Sequence, residues 1–171
     1  SFMIEPVQVE GGGYDFYLPS SSVLSVETRF FQSTPEKTLT IPSTAARVIT
    51  VGAYDTYTEA YADFSGRGRN MPPSSVNIKP DFVAPGVNIK TLSPGNVPVA
   101  VSGTSFATPF ASGSAALLME WGIVRGNDPF LYGEKVKAYL RRGARTLRSE
   151  SVYPNNRVGW GALCLAGSLP D

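Results

Sequence analysis

Apolar and polar positions fall into short runs along the first forty residues: Tyr14 to Leu18, Val23 to Phe31 and Lys37 to Ile41. Turn formers separate them, Gly11-Gly12-Gly13, Pro19-Ser20-Ser21-Ser22 and Thr34-Pro35, so the pattern predicts a β meander with one wet face. The pattern changes near Pro42. Val48 to Tyr54 is nearly continuously apolar, as expected of a strand in a sheet covered on both faces. Residues 66–80 hold Gly66, Gly68, Pro72 and Pro73 among polar residues and read as an irregular surface loop. Short extended pieces follow: Phe82-Val83-Ala84 ends at Pro85-Gly86, Val87 to Leu92 ends at Pro94-Gly95, and Val97 to Val101 runs into Gly103-Thr104-Ser105. Ser105 to Trp121 is rich in Ala and Leu and almost uncharged until Glu120, which predicts a helix buried on nearly all sides. Small residues at Ala107, Ala111, Gly113, Ala115 and Ala116 allow neighbours to approach it closely. A second helix, Tyr132 to Arg142, carries Val136, Tyr139 and Leu140 on one face and is expected to cover the sheet from outside. The order of elements is that of an α/β fold.

Composition adds boundaries rather than chemistry. A chain of 171 residues with 42% hydrophobic residues is the size of one domain. Its net charge of +1 gives no electrostatic argument for nucleic acid as a partner. Apolar runs stop well short of the roughly 20 residues of a membrane span, and the start lacks the basic and apolar segments of a signal peptide. Cys164, the single cysteine, lies in an apolar run and reads as a small buried hydrophobe. Without histidine or paired cysteines no metal-ligand cluster is visible, so no cofactor or metal is expected; a calcium site built from carbonyls stays open. Arg141, Arg142, Arg145 and Arg148 follow the second helix and could attract anions, but read more simply as a solvated helix end whose cations complement the dipole.

The candidate chemistry is at Gly103-Thr104-Ser105-Phe106-Ala107-Thr108-Pro109. A strand, a sharp turn and a helix beginning at Ser105 lift a hydroxyl to the rim of a sheet, beside free helix N-terminal N–H groups that stabilise an oxyanion. Pro109 removes the N–H that would bond the Ser105 carbonyl, which an ordinary helix would not choose. Ala107 argues against the Gly-x-Ser-x-Gly elbow of α/β-hydrolases. Yet the chain contains no histidine to serve as base.

The seven residues from Gly103 to Pro109 resemble the serine motif of the subtilisin-like proteases, the subtilases. Val48 to Ala53, Asp63-Phe64-Ser65-Gly66-Arg67-Gly68, Lys79 to Gly86 and Gly159-Trp160-Gly161 resemble further segments of that family, in its order. Tyr14 to Pro19 resembles part of the β insertion of clostridial germination-protease-like subtilases. The resemblance implies that residues 1–41 are part of a β-rich insertion and 42–171 the C-terminal part of a three-layer subtilisin-like catalytic domain, with a mostly parallel sheet and flanking helices.

It implies further that Ser105 is the nucleophile of a serine endopeptidase whose aspartate, histidine and oxyanion asparagine precede this segment, which accounts for the absent histidine. On that reading the expected partners are a peptide or protein substrate and the N-terminal part of the same protein. The 171 residues alone are expected to be inactive and prone to self-association, and the setting to be secreted or the cell or spore envelope. Val101, Ser102, Gly103 and Thr104 are candidate substrate-binding residues, with Val99 and Ala100 beside them; a buried strand is the competing reading. Phe110 stands where family members often have histidine, and Ser102 where asparagine is frequent. Asp63 and Asp81 fall in segments that are structural in the family. The alternative is a pseudoprotease or regulatory binding module that keeps the fold without a working base. Tyr14, Phe16 and Tyr17 read as cross-strand packing rather than a recognition surface, and Trp121 and Trp160 as core or rim aromatics.

Overall fold

The computed structural model describes residues 7–8, 11, 13–19 and 23–170. These fall into two compact units, Ser1–Thr34 and Pro35–Asp171, divided ahead of the change expected near Pro42. In the first unit the described residues form turns and irregular extended chain, with no strand. The predicted strands at Tyr14 to Leu18 and Val23 to Phe31 are therefore not formed, and Ser20 to Ser22 lie outside the described residues. A strand is held by its ladder and by burial of one face. Here Tyr14, Tyr17, Val26 and Phe31 are all exposed, so no burial offsets the entropy of ordering. Tyr14 and Phe16 meet edge to face at 5.4 Å, neighbours along the chain rather than a cross-strand pair.

The second unit is built on a three-stranded sheet. Its central strand β1 (Val51–Asp55) pairs antiparallel with β2 (Ala60–Tyr61) and parallel with β3 (Phe82–Pro85). A two-stranded antiparallel hairpin follows, β4 (Ile89–Ser93) with β5 (Val97–Val101). Helix α1 spans Thr104–Met119, continues into a π-helical turn over Glu120–Val124, and is followed by α2 (Gly133–Arg142) and the short α3 (Leu165–Ser168). The run Lys37 to Ile41 forms no strand either: the N–H groups of Lys37, Thr38 and Leu39 bond to carbonyls of Arg67 and Gly68.

Alternation along β3 decides how the layers close, because successive strand residues face opposite sides. Phe82 packs with Ala111 and Leu118 of α1 and Val136 and Leu140 of α2. Val83 points the other way, into Tyr54, Tyr61, Leu147, Val158 and Ala162, and Ala84 returns to meet Ala53 and Ala107. The sheet is thus covered on both faces, as the unbroken apolar run of β1 required, and an α/β architecture results. Residues 161–163 run beside β3 as a further parallel segment, with the Val83 N–H bonded to the Gly161 carbonyl and the Leu163 N–H to the Val83 carbonyl.

Helix α1 departs from the expected burial. Only Ala107, Ala111 and Leu118 are fully buried, a single stripe, while Phe110, Leu117 and Met119 are exposed. An uncharged composition cannot distinguish a helix enclosed all round from one covered on a single face. Among the described residues of the second unit, nothing encloses that outer face. Cys164 is half-buried rather than buried.

The ends of β1, β3 and α2 meet at one carboxylate. Asp81 is fully buried; its Oδ2 accepts the Thr50 N–H at 2.6 Å and Lys79 Nζ at 3.0 Å. Its Oδ1 accepts Arg141 through Nε at 2.8 Å and through Nη2, and lies 3.1 Å from Lys137 Nζ. Lys137 also donates to the carbonyls of Ala46 and Val48, and Lys79 to Val48 and Thr50 Oγ1. The Arg141 guanidinium stacks over Trp160 at 3.9 Å. Reading all four arginines as a solvated helix end is therefore corrected: two N–H groups of Arg141 converge on one oxygen of a buried carboxylate, a charge-assisted pairing that draws it inward. Arg145 and Arg148 instead pair with Glu59 at the surface.

Removing Asp81 leaves the buried Lys79 and Lys137 and the half-buried Arg141 without their counter-charge, so Asp81→Asn is expected to cost about 3–5 kcal/mol of stability, measured by denaturant unfolding. Burial, assisted by the neighbouring Lys137 charge, pushes the Lys79 ammonium down to about 8 from its ordinary 10.5, against the pull of Asp81. The folded protein then releases this proton near pH 8 while the unfolded chain keeps it to about 10.5, so stability through Lys79 rises with pH between those values. The melting temperature of the wild type relative to Lys79→Met should climb over that window; a flat difference would remove the linkage.

Candidate active site

The serine turn sits at the C-terminal ends of the parallel strands, opposite the Asp81 cluster. That is where open α/β sheets place their ligand sites, because loops leaving the strands converge there. Two backbone hydrogen bonds fasten it: the Gly86 N–H donates to the Tyr54 carbonyl at 3.1 Å, and the Gly103 N–H donates to the Gly86 carbonyl at 2.8 Å. Gly86 is buried between β1 and the start of α1. A Cβ on it would lie 2.6 Å from Ala53 Cβ and 3.1 Å from the Gly103 carbonyl oxygen, so only glycine lets the turn come this close. Gly103, which caps the helix, has φ 156°, where side chains are rarely tolerated.

The helix start is arranged as the pattern predicted. The N–H groups of Phe106 and Ala107 both bond to the Gly103 carbonyl, at 3.1 and 3.3 Å. Those of Thr104 and Ser105 make no backbone bond among the described residues, and they carry the positive end of the helix dipole. Pro109 lies inside α1 and supplies no N–H to the Ser105 carbonyl. Ser105 is exposed, and its hydroxyl makes no hydrogen bond among the described residues. Among the described residues of this unit, no acid or base is hydrogen-bonded to it.

The four candidate substrate-binding residues are brought together beside Ser105. Val101 ends β5 in register with Ile89. Ser102 is exposed, and its Oγ accepts the Asn88 N–H at 2.9 Å, closing the base of the hairpin. Thr104 accepts the Thr108 hydroxyl at 3.0 Å. The hairpin is largely exposed, and from Val99 to Gly103 no residue is fully buried, with Ala100 and Ser102 open to solvent, so the competing reading of that stretch as a buried strand does not hold. Among the described residues, β5 is paired along one edge only.

Asp63 is exposed and Asp81 is at the far end of the sheet, so neither approaches Ser105. Trp121 packs edge to face on Tyr139 at 6.1 Å, and Trp160 lies under Arg141. Sequence reasoning missed Gly86 as the residue that sets the turn against the sheet; the signal was its place directly after Pro85, one residue beyond a buried strand. It also missed Lys137, which shares a helix face with Arg141 four residues on. Among the described residues, no group of three or more histidine, cysteine or carboxylate side chains gathers as a metal site.

Residues 25–161 match the subtilase family, and the chain belongs to it. It is similar to serine protease AprX of Bacillus subtilis, 34% identical with 78% of this chain and 32% of that protein covered, and to subtilisin BL of Lederbergia lenta, 31% identical with 70% and 39% covered. The solved structure of the CspB protease of Clostridium perfringens is 48% identical and superposes with a TM-score of 0.75 over 82% of this chain and 29% of that one. The chain thus spans about a third of the length of these relatives.

An alanine at position 86 must push Ala53 or the Gly103 carbonyl aside. Gly86→Ala is expected to lower stability by about 1–3 kcal/mol, with the melting temperature as readout, and a wild-type melt would show that the close approach carries no constraint.

Proposed function

We propose that this chain is the nucleophile-bearing part of a serine endopeptidase, with Ser105 as the attacking residue. The observation that carries this reading is an exposed, unbonded serine hydroxyl at the N-terminus of α1, held over the ends of two parallel strands with two unspent N–H groups beside it. The Ser105 Oγ adds to the scissile carbonyl, a histidine outside these residues takes its proton, and the carbonyl oxygen becomes an oxyanion. The Ser105 N–H and a side chain from elsewhere in the protein hold that oxyanion. Collapse of the intermediate expels the amine, which takes the proton from the histidine, and water then hydrolyses the acyl-enzyme. This chemistry needs no cofactor.

A base outside these residues fits two facts: none of the 171 residues is histidine, and the chain covers 32% of AprX. The substrate is a peptide, and Val101 to Thr104 line its path, a placement supported by the free edge of β5 near Ser105. The rest of the protein lies over the apolar outer face of α1, around Phe110, Leu117 and Met119; without that cover the isolated chain self-associates.

A fluorophosphonate probe tests the nucleophile. The whole gene product should be labelled at Ser105 and Ser105→Ala should not, with turnover falling by roughly four to six powers of ten. The isolated 171 residues should hydrolyse no peptide. Folded whole protein that resists the probe would overturn the reading and leave a binding module that has kept the fold.

A further inference from the structure

The Asp81 cluster answers a packing need but overshoots in charge. Lys79, Lys137 and Arg141 surround one carboxylate, and a cavity of about 210 Å³ opens beside them between α2 and the segments at Arg47 and Asn77. The charged groups lining it are Arg47, Lys137, Arg141 and Glu134. Against Asp81 and Glu134 stand Arg47, Lys79, Lys137 and Arg141, four positive charges to two negative. This charge runs from floor to rim: the side chains of Lys137 and Arg141 are 9% and 18% exposed, while Arg47 and Glu134 stand at the open mouth, 89% and 55% exposed.

The hydrogen-bond inventory shows where the excess is available. Lys137 Nζ is spent on two carbonyls and Asp81, and Lys79 Nζ on a carbonyl, a hydroxyl and Asp81. Arg141 commits Nε and Nη2 to Asp81 and leaves Nη1 free. Arg47 uses only Nε, 3.4 Å from Glu134, and leaves both terminal amino groups free. Two guanidinium groups with unspent donors therefore line one small cavity, Arg141 shielded at its floor, where an anion gains more than it would in open water, and Arg47 at its solvent-exposed mouth. The guanidinium fork matches the oxygens of a phosphate or carboxylate.

We propose that this cavity binds a small oxyanion, a phosphate or carboxylate group held between Arg47 and Arg141 with Asn77 beside it. The bound group ties the segment that feeds β1 to helix α2 and neutralises the excess charge. The site is independent of Ser105 and stands whether or not that serine is a nucleophile.

Titration of the whole gene product with inorganic phosphate, and separately with citrate, at constant ionic strength made up with sodium chloride, tests it. A saturable rise in melting temperature is expected with at least one of them, phosphate alone marking a compact oxyanion and citrate alone a small polycarboxylate. Arg47→Ala, which leaves the Asp81 cluster untouched, should weaken that binding by tenfold or more, with part restored in Arg47→Lys. Glu134→Gln, which releases Arg47 from its competing carboxylate, should tighten it several-fold. A response that chloride reproduces, or one that Arg47→Ala leaves unchanged, would overturn the site.

Discussion

A single buried carboxylate organises the second unit. Asp81 stands immediately before β3, its side chain accepts the N–H of Thr50 immediately before β1, and its other oxygen takes the side chains of α2. Its backbone is bonded as well: the N–H to the Thr50 carbonyl, and the carbonyl to the Trp160 N–H. One residue thus fixes where two parallel strands, a helix and the C-terminal segment begin or cross. A hydrophobic contact could not do this, since burial is non-directional and tolerates sliding; a carboxylate whose four lone-pair directions are all occupied does not.

The other end of the same strands is held by backbone rather than charge. Gly86 receives Gly103 closely enough that no side chain fits between them, so the serine turn inherits its position from the sheet. Directional charge at one end and tight backbone approach at the other leave the strands little freedom, and the exposed hydroxyl of Ser105 is displayed from a rigid platform. Such placement serves the proposed acyl transfer, because a reacting geometry displaced by even 1 Å loses much of its rate. The sites at the two ends differ in chemistry accordingly: unspent N–H groups and a hydroxyl at one, an excess of guanidinium at the other.

Much of this was legible along the chain. β3, the β4–β5 hairpin and both long helices are where the apolar runs and turn formers placed them, within a few residues. The Gly103 to Pro109 motif located the serine turn, and the family match bears out the subtilase resemblance. The first unit was not legible, because alternation in Tyr14 to Phe31 signals a strand only if a partner supplies the ladder, and local pattern does not reveal a partner. Nor was the half-exposure of α1: Phe110 and Leu117 look the same in sequence whether or not something covers them.

The sequence by itself determined the class of fold and the residue that bears the candidate chemistry, because hydrophobic period and turn residues act over a few neighbours. Tertiary structure alone decided what Lys137 and Arg141 do, since their role depends on a carboxylate some sixty residues away in the chain. It also decided that the N–H groups of Thr104 and Ser105 remain free beside an exposed hydroxyl. Burial and hydrogen-bond pairing are properties of what surrounds a residue, and only the folded chain supplies the surroundings.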